Sequence, residues 1–355
     1  MLRMNRFILP LICLPSLVFG FPNSPEYIPN SDSCSAIKID LECAWKGLPE
    51  LANLAAESLI SWASSSGCDD TELVDDAMKR IFNVDRSIMS KGEVKEIYGT
   101  IGAFMLGINR LPQAQAPLLA CDWKWLQNKH DEKTSDQVSK EMGLDRDKEI
   151  ALWDDIEKAW VSLPAHFNQS KSDVLASTYH GERDIIVVSG FRGKNRAVLR
   201  EGNNQPTRLV NSPRKSTLQF GIEWLLATLT AALFHEFTHL ESVGASEDQL
   251  LKDGKTVAYS WSEIKKLALE KEKDDVTELP KSVVNAQSLT AFVLVLWLQL
   301  KGQFRFDYDT GMFVPPSSKE KPKSPKRDSI DDALKSNKPP IPTKPDCLKV
   351  KKLKT

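Results

Sequence analysis

The sequence predicts an α+β chain, mainly α, with a small sheet beside one apolar helix. Three observations predict it. Apolar residues recur at helical spacing between positions 37 and 112. One short β-branched run at 184–189, closed by Gly190, reads as a strand. Two long apolar segments, 217–241 and 283–300, read as buried helices. Their most apolar stretches, 224–234 and 289–300, fall short of the roughly 20 residues that cross a bilayer.

The chain has 355 residues with 41% hydrophobic and 27% charged side chains, which is the balance of a globular protein with an ordinary core. Its first 20 residues read as a signal peptide. Arg3 and Arg6 give the positive start, positions 7–19 are apolar, and Val18 and Gly20 are small enough to precede a cleavage site. A secreted, extracellular chain starting at Phe21 is expected. Cysteine usage agrees with that compartment. Cys13 leaves with the signal, and Cys34, Cys43, Cys68, Cys121 and Cys347 remain, so at most two bridges form within one chain. Pairing among the first four of these leaves Cys347 free. Asn168-Gln169-Ser170 is a glycosylation sequon.

Residues 21–33 are rich in Pro, Asn and Ser and are expected to be extended. Leu48, Leu51, Leu54, Ala55 and Leu59 mark the first helix. Gly67 and Cys68 lie in a break, after which Thr71 can cap a helix with Val74, Ala77, Met78 and Ile81 on one face. Residues 91–106 give another helix, and Trp153, Ile156 and Trp160 are assigned to a later one. The charged stretch 126–149 reads as a surface excursion. Asn203, Asn204 and Pro206 mark a turn. Ser262 can cap a helix ending near position 272. Residues 316–355 carry 12 Lys and Arg against 5 Asp and Glu, so a basic tail hangs from an acidic body. That tail, rich in Pro and Lys, lacks the apolar content to pack. The expected organisation is a signal at 1–20, one domain at 21–314 and a disordered tail at 315–355. Within the domain, an α-rich part reaches about 160 and a functional part spans 165–305.

The chemistry sits on the 217–241 helix, in His235-Glu236-Phe237-Thr238-His239. Two histidines four apart project from one helical face and can share a metal. Zinc accepts neutral imidazole nitrogen and is commonly four-coordinate. Glu236 stands beside that face, where its carboxylate can take a proton from a water acidified by the metal. Leu225, Leu226, Leu229, Leu233, Phe234 and Phe237 surround the motif with apolar side chains, giving a buried platform. No histidine follows His239, so the third ligand is a carboxylate or an upstream histidine. Asp248, Asp253, Glu263 and Glu270 are the carboxylates in reach. The other histidines, His130, His166 and His180, are scattered and read as ordinary, and Trp123, Trp125, Trp153 and Trp160 read as packing residues. There is no phosphate loop, dinucleotide fingerprint or zinc-finger spacing, which excludes those classes and leaves no nucleic-acid partner.

The stretch Asp253-Gly254-Lys255-Thr256-Val257-Ala258-Tyr259-Ser260-Trp261 resembles the Gly-Thr-x-Asp-x-x-Tyr-Gly signature of aspzincins. These are the deuterolysin and lysine-specific metallo-endopeptidases, largely fungal. Asn285-Ala286-Gln287-Ser288, before an apolar helix, is similar to the Asn-Ala-Asp stretch of the family. The resemblance covers about residues 75–300. It implies a zincin-like fold, a Zn2+ cofactor held by His235, His239 and an aspartate, and Glu236 as general base. It also implies that Tyr259 donates its hydroxyl to an oxyanion. The family aspartate lies three residues before the tyrosine, where this chain has Thr256. Asp253 is the nearest carboxylate and is taken as the third ligand, with Asp248 closer to the helix and Glu263 on the following helix as alternatives. The expected function is a monomeric, secreted zinc endopeptidase acting on a protein or peptide substrate, with no membrane association once the signal is removed. The alternative, raised by Thr256, is an inactive relative that uses the same fold as a binding or effector module.

Overall fold

The computed structural model describes residues 21–28, 34–64, 69–164, 175–189 and 220–315. The expected signal segment, Cys68, His166, the sequon, the 203–206 turn, Cys347 and the basic tail lie outside them. The described chain is mixed α and β, with long helices and small sheets, in keeping with the α+β expectation.

The helical half follows the apolar periodicity. Helix α1 is Lys38–Ser64, α2 is Asp69–Phe82 and α3 is Lys91–Asn109. Leu48, Leu51, Ala52, Ala55, Ala56 and Leu59 of α1 are fully buried. Helix α2 begins two residues before Thr71, which lies inside its first turn rather than capping it. Ser90 caps α3, its hydroxyl accepting the Glu93 N–H while the Glu93 carboxylate accepts the Ser90 N–H.

Between the helices and the site the chain departs from the sequence expectation. Trp153 and Trp160 lie on strands, not on a helix. After β1 (Glu26–Tyr27) and β2 (Leu118–Ala120) come the short strands β3 (Leu126–Gln127), β4 (Lys129–His130) and β5 (Lys133–Thr134). Helix α4 (Ser135–Glu141) follows, then the hairpin β6 (Glu149–Asp154) and β7 (Ala159–Pro164), which pairs Trp153 with Trp160. The reason is the turn. Asp154 Oδ1 accepts the N–H groups of Ile156 and Glu157 at 2.8 and 3.0 Å, and Lys158 adopts φ 55°. These local bonds reverse the chain where a helix would have continued. Residues 126–149 lie mostly at the surface, as expected, and carry the short elements β3, β4, β5 and α4.

The 184–189 run is observed as β9 (Ile185–Val187) in a four-stranded sheet with β8 (Ser177–Tyr179), in the order β1-β2-β9-β8. The first three strands are parallel, and β8 runs antiparallel to β9. Ile185, Ile186 and Val187 are all buried, as expected of a parallel strand covered on both faces. Cys34 and Cys121 form a disulfide that ties the start of the helical half to the end of β2. Cys43 is disulfide-bonded as well.

The 217–241 segment is not one helix. Strand β10 (Phe220–Gly221) leads into α5 (Ile222–Leu226), and a new helix, α6 (Leu229–His239), starts after a break. Thr228 makes that break, its extended backbone and hydroxyl capping the N–H of Ala231. Ser260, not Ser262, caps α7 (Trp261–Glu270). The 283–300 segment is also divided, into α8 (Lys281–Val284) and α9 (Ala286–Leu300), by Asn285 in an extended conformation. Strands β11 (Arg305–Asp307) and β12 (Met312–Val314) join β10 in a second sheet. Helix α9 is buried on every side from Ala286 to Gln299, because α1, α2 and α6 pack around it. Helix α6 is clamped between α1, α9 and β8, with Phe237 edge-on to Trp45 at 5.1 Å. No helix of the described residues is long and apolar enough to cross a membrane.

Candidate metal centre

The last turn of α6 carries His235, Glu236 and His239, and the first two are almost wholly buried. Helical spacing brings the two imidazoles together, with their Nε2 atoms 3.1 Å apart. The third group comes from the loop that follows, and a sharp reversal delivers it. The N–H groups of Val243, Gly244 and Ala245 all donate to the carbonyl of Leu240. Gly244 has φ +152°, and a Cβ there would lie 2.5 Å from the Phe104 ring, so only glycine fits. Ala245 follows at φ 51°. Ser246 then bonds back to Thr238 through its N–H at 2.8 Å and its hydroxyl at 2.7 Å.

Two residues later stands Asp248. Its Oδ1 lies 3.2 Å from His235 Nε2 and 3.8 Å from His239 Nε2. Asn285 fixes the loop at this point. Its side-chain carbonyl accepts the Gln249 N–H at 3.0 Å, and its amide donates to Ser288 Oγ at 2.9 Å. Glu247 bridges the same kink, donating to the Val284 carbonyl and accepting from the Ala286 N–H.

The tautomers can be assigned from the partners. His239 Nδ1 lies 2.8 Å from the Ser246 carbonyl, which only accepts, so Nδ1 carries the proton. Gln287 Nε2 donates to the Tyr259 carbonyl at 3.1 Å, which turns its Oε1 toward His235 Nδ1 at 2.7 Å. His235 therefore also donates from Nδ1. Both neutral imidazoles present an Nε2 lone pair to the same point, and Asp248 Oδ1 presents a third. That oxygen is buried, and only a proton on His235 Nε2, 3.2 Å away, would give it a hydrogen bond. Three acceptors converging without a donor repel one another unless a cation lies between them. Tetrahedral zinc, with bonds of about 2.0–2.1 Å, sets its ligand atoms about 3.3 Å apart, close to the separations seen here. His235, His239 and Asp248 thus form a group that can hold a metal ion. A proton is the competing cation. Burial acts to lower the pKa of His235, but the Asp248 hydrogen bond, the charges of Glu236 and Asp248, and the Gln287 bond outweigh it and leave it raised. Burial likewise acts to raise that of Asp248, and its bond to His235 and the charge there outweigh this and hold it low.

The structure does not bring Asp253 to the histidines. Its carboxylate is exposed and accepts from Lys255 N, Thr256 N and Thr256 Oγ1 at 2.9, 2.8 and 2.6 Å. Asp253 and Thr256 close a surface turn together. Glu263 is occupied in the capping box of α7 with Ser260. Glu270 accepts the N–H of Lys252. Of the four carboxylates in reach by sequence, Asp248 is the one free to face the histidines.

Glu236 lines a cavity of about 540 Å³ that opens onto His235, His239 and Asp248, together with Thr178, His180, Leu226, Ala232 and Tyr259. Thr178 Oγ1 donates to Glu236 Oε2 at 2.8 Å. Tyr259 reaches the same cavity half-exposed, and its hydroxyl donates to Asp248 Oδ2 at 2.5 Å. Burial, then the Asp248 charge, push its pKa well above that of an ordinary tyrosine, so the hydroxyl stays a donor. His180 stands at the rim with Nδ1 3.0 Å from Asp184. His130 instead stacks on Trp153 at 3.6 Å, away from the cavity lining.

Sequence reasoning missed three contributors. Ser246 acts through its carbonyl, which leaves no mark in a side-chain pattern. Thr178 lies on a three-residue strand, too short for alternation to register. Gln287 falls in the Asn-Ala-Gln-Ser stretch, and its place at the start of a buried helix was the available signal. No protein-family model, curated protein or solved structure matches this chain, so its function is argued from the arrangement of His235, His239, Asp248 and Glu236.

Proposed function

We propose that this chain is a secreted zinc endopeptidase of zincin-like fold. One observation carries the reading: ring nitrogens of His235 and His239 and a carboxylate oxygen of Asp248 converge, and the buried carboxylate of Glu236 stands beside them at the same cavity. Two imidazole nitrogens and one carboxylate oxygen are a donor set suited to catalytic zinc, which keeps one position open. His235, His239 and Asp248 would hold the ion. When bound, it supplies Lewis acidity toward a carbonyl oxygen and a water. Asp248 replaces Asp253 as the third ligand of this reading.

The chain's own groups do the rest. Glu236 takes a proton from the attacking water as the O–C bond forms, and returns it to the leaving nitrogen as the C–N bond breaks. Tyr259, held protonated, donates its one hydroxyl proton to Asp248 Oδ2 and so orients that carboxylate at the cavity wall. Among the described residues β8 is an edge of its sheet, and it packs against α6, so an extended peptide can add to that edge across the cavity. The Cys34–Cys121 bridge and the bonded Cys43 support an oxidising, extracellular compartment.

Glu236→Gln tests the assignment. The variant should retain one zinc per chain and its fold, and lose peptide hydrolysis by about 10²–10⁴-fold or more. Equal turnover removes Glu236 from the reaction. A wild-type chain that binds zinc and cleaves no peptide favours the binding-module alternative.

A further inference from the structure

The geometry points to Thr178 as a positioning residue for Glu236, so that the strand offered to a peptide also orients the general base. This rests on the peptidase reading. Thr178 is the middle residue of β8, paired with Ile186 of β9 on one side. Its side chain crosses to α6 and lines the cavity.

The Thr178 hydroxyl has two acceptors in range, Glu236 Oε2 at 2.8 Å and the Glu236 carbonyl at 3.2 Å, and one proton to give. A purely structural role exists for the second contact. The Glu236 carbonyl belongs to the last turn of α6, where carbonyls lose their helical partners, and the Leu240 N–H goes to Phe237 instead. Two physical facts favour the carboxylate. It is the nearer acceptor, and hydrogen bonds to a charged acceptor are about twice as strong as those between neutral groups. Glu236 is also only 5% exposed, so water competes little for its oxygens.

The consequence follows from the strand. One carboxylate oxygen is held by Thr178, and the other is left for the proton that moves. An extended peptide adding to the outer edge of β8 would hydrogen-bond to the backbone that carries Thr178. Peptide docking and alignment of the base therefore share one residue, and fixing the strand fixes the carboxylate.

The test compares Thr178→Ala, Thr178→Val and Thr178→Ser with wild type. Zinc content should stay at one per chain in all four. Thr178→Ala and Thr178→Val should lower kcat about 10–100-fold, the size of loss that misplacing a reacting group produces. KM should stay within about threefold and Thr178→Ser should recover kcat to within about threefold, since the interaction is made with the base and not with bound substrate. A second readout needs neither metal nor substrate. In the metal-free chain the ¹³C resonance of the Glu236 carboxyl carbon, identified by its loss in Glu236→Gln, should move in Thr178→Ala and return in Thr178→Ser. Unchanged kcat in Thr178→Ala, a rise in KM alone, a serine variant as slow as alanine, or an unmoved resonance each overturns the proposal. If Thr178→Val does not fold, the smaller alanine still decides. A wild type that holds zinc and cleaves nothing overturns the peptidase reading, and the resonance then still reports whether Thr178 bonds the carboxylate.

Discussion

Helix α6 and the loop after it supply the same candidate centre by different means. On α6, His235 and His239 fall on one face because 3.6 residues make a turn, and Ser246 and Gln287 only orient their rings. In the loop, Asp248 and Asp253 are five residues apart and of the same residue type, yet one faces the histidines and the other faces solvent. Asp253 is captured by the N–H groups just after it. Asp248 follows a reversal built from Gly244, Ala245 and Ser246 and pinned from a distance by Asn285. Periodicity places a helical ligand, whereas competition among local hydrogen bonds places a loop ligand.

The sharpest way to break this contrast is to remove each aspartate. Asp248→Ala should weaken zinc binding by more than the roughly 10–100-fold typical of losing a residue that only orients a ligand. Asp253→Ala should leave zinc affinity within about threefold of wild type, because its carboxylate serves only its own turn. Competition titration against a chromophoric chelator measures both. The reverse ranking would return the metal to Asp253 and refute the placement of this loop.

A smaller effect is expected where the helix depends on a neighbour. Gln287→Leu removes the acceptor that holds the His235 Nδ1 proton, and zinc affinity should fall about 10–100-fold with the fold intact. The same titration checks it, with circular dichroism as the control.

Acidification probes the competition between proton and metal. His235 has a raised pKa in the metal-free chain, so its proton-bound form persists to higher pH than that of an ordinary imidazole. Zinc affinity should therefore be fully expressed above that raised value and decline as pH falls through it, with uptake releasing a proton. Calorimetry in buffers of different ionisation enthalpy counts that proton. Uptake without release would show the site already deprotonated.

Much of the helical scaffold was legible because burial imposes a period. Leu48 through Leu59 and Val74 through Ile81 lie on the faces their spacing predicted. The His-Glu-x-x-His helix was legible for the same reason. What was not legible depended on single polar side chains overriding a pattern. Thr228 splits one apolar run, Asn285 splits another, and Asp154 turns an apparent helix into the β6–β7 hairpin. Asp253, expected as the third group, is turned away from the histidines, because chain proximity to Tyr259 said nothing about which N–H groups would reach the carboxylate first.

The smallest effect concerns the far end of the loop. Ser260→Ala removes the cap of α7 and should lower stability by about 1 kcal/mol without changing zinc affinity. Urea unfolding of the zinc-free variant measures it. A loss of zinc affinity here would mean that the loop and α7 move as one unit.

The Cys34–Cys121 bridge has a consequence for the order of events during synthesis. It joins positions 87 apart, with α1, α2 and α3 between them, and every residue of the candidate centre lies beyond it in the chain. His235 is added 114 residues after Cys121. At about 5–20 residues per second this leaves roughly 6–23 seconds in which α1, α2 and α3 are made and α6 does not yet exist. Of the elements that pack against α6, the loop holding α1 can therefore be covalently closed before α6 is made, whereas α9 is added only afterwards.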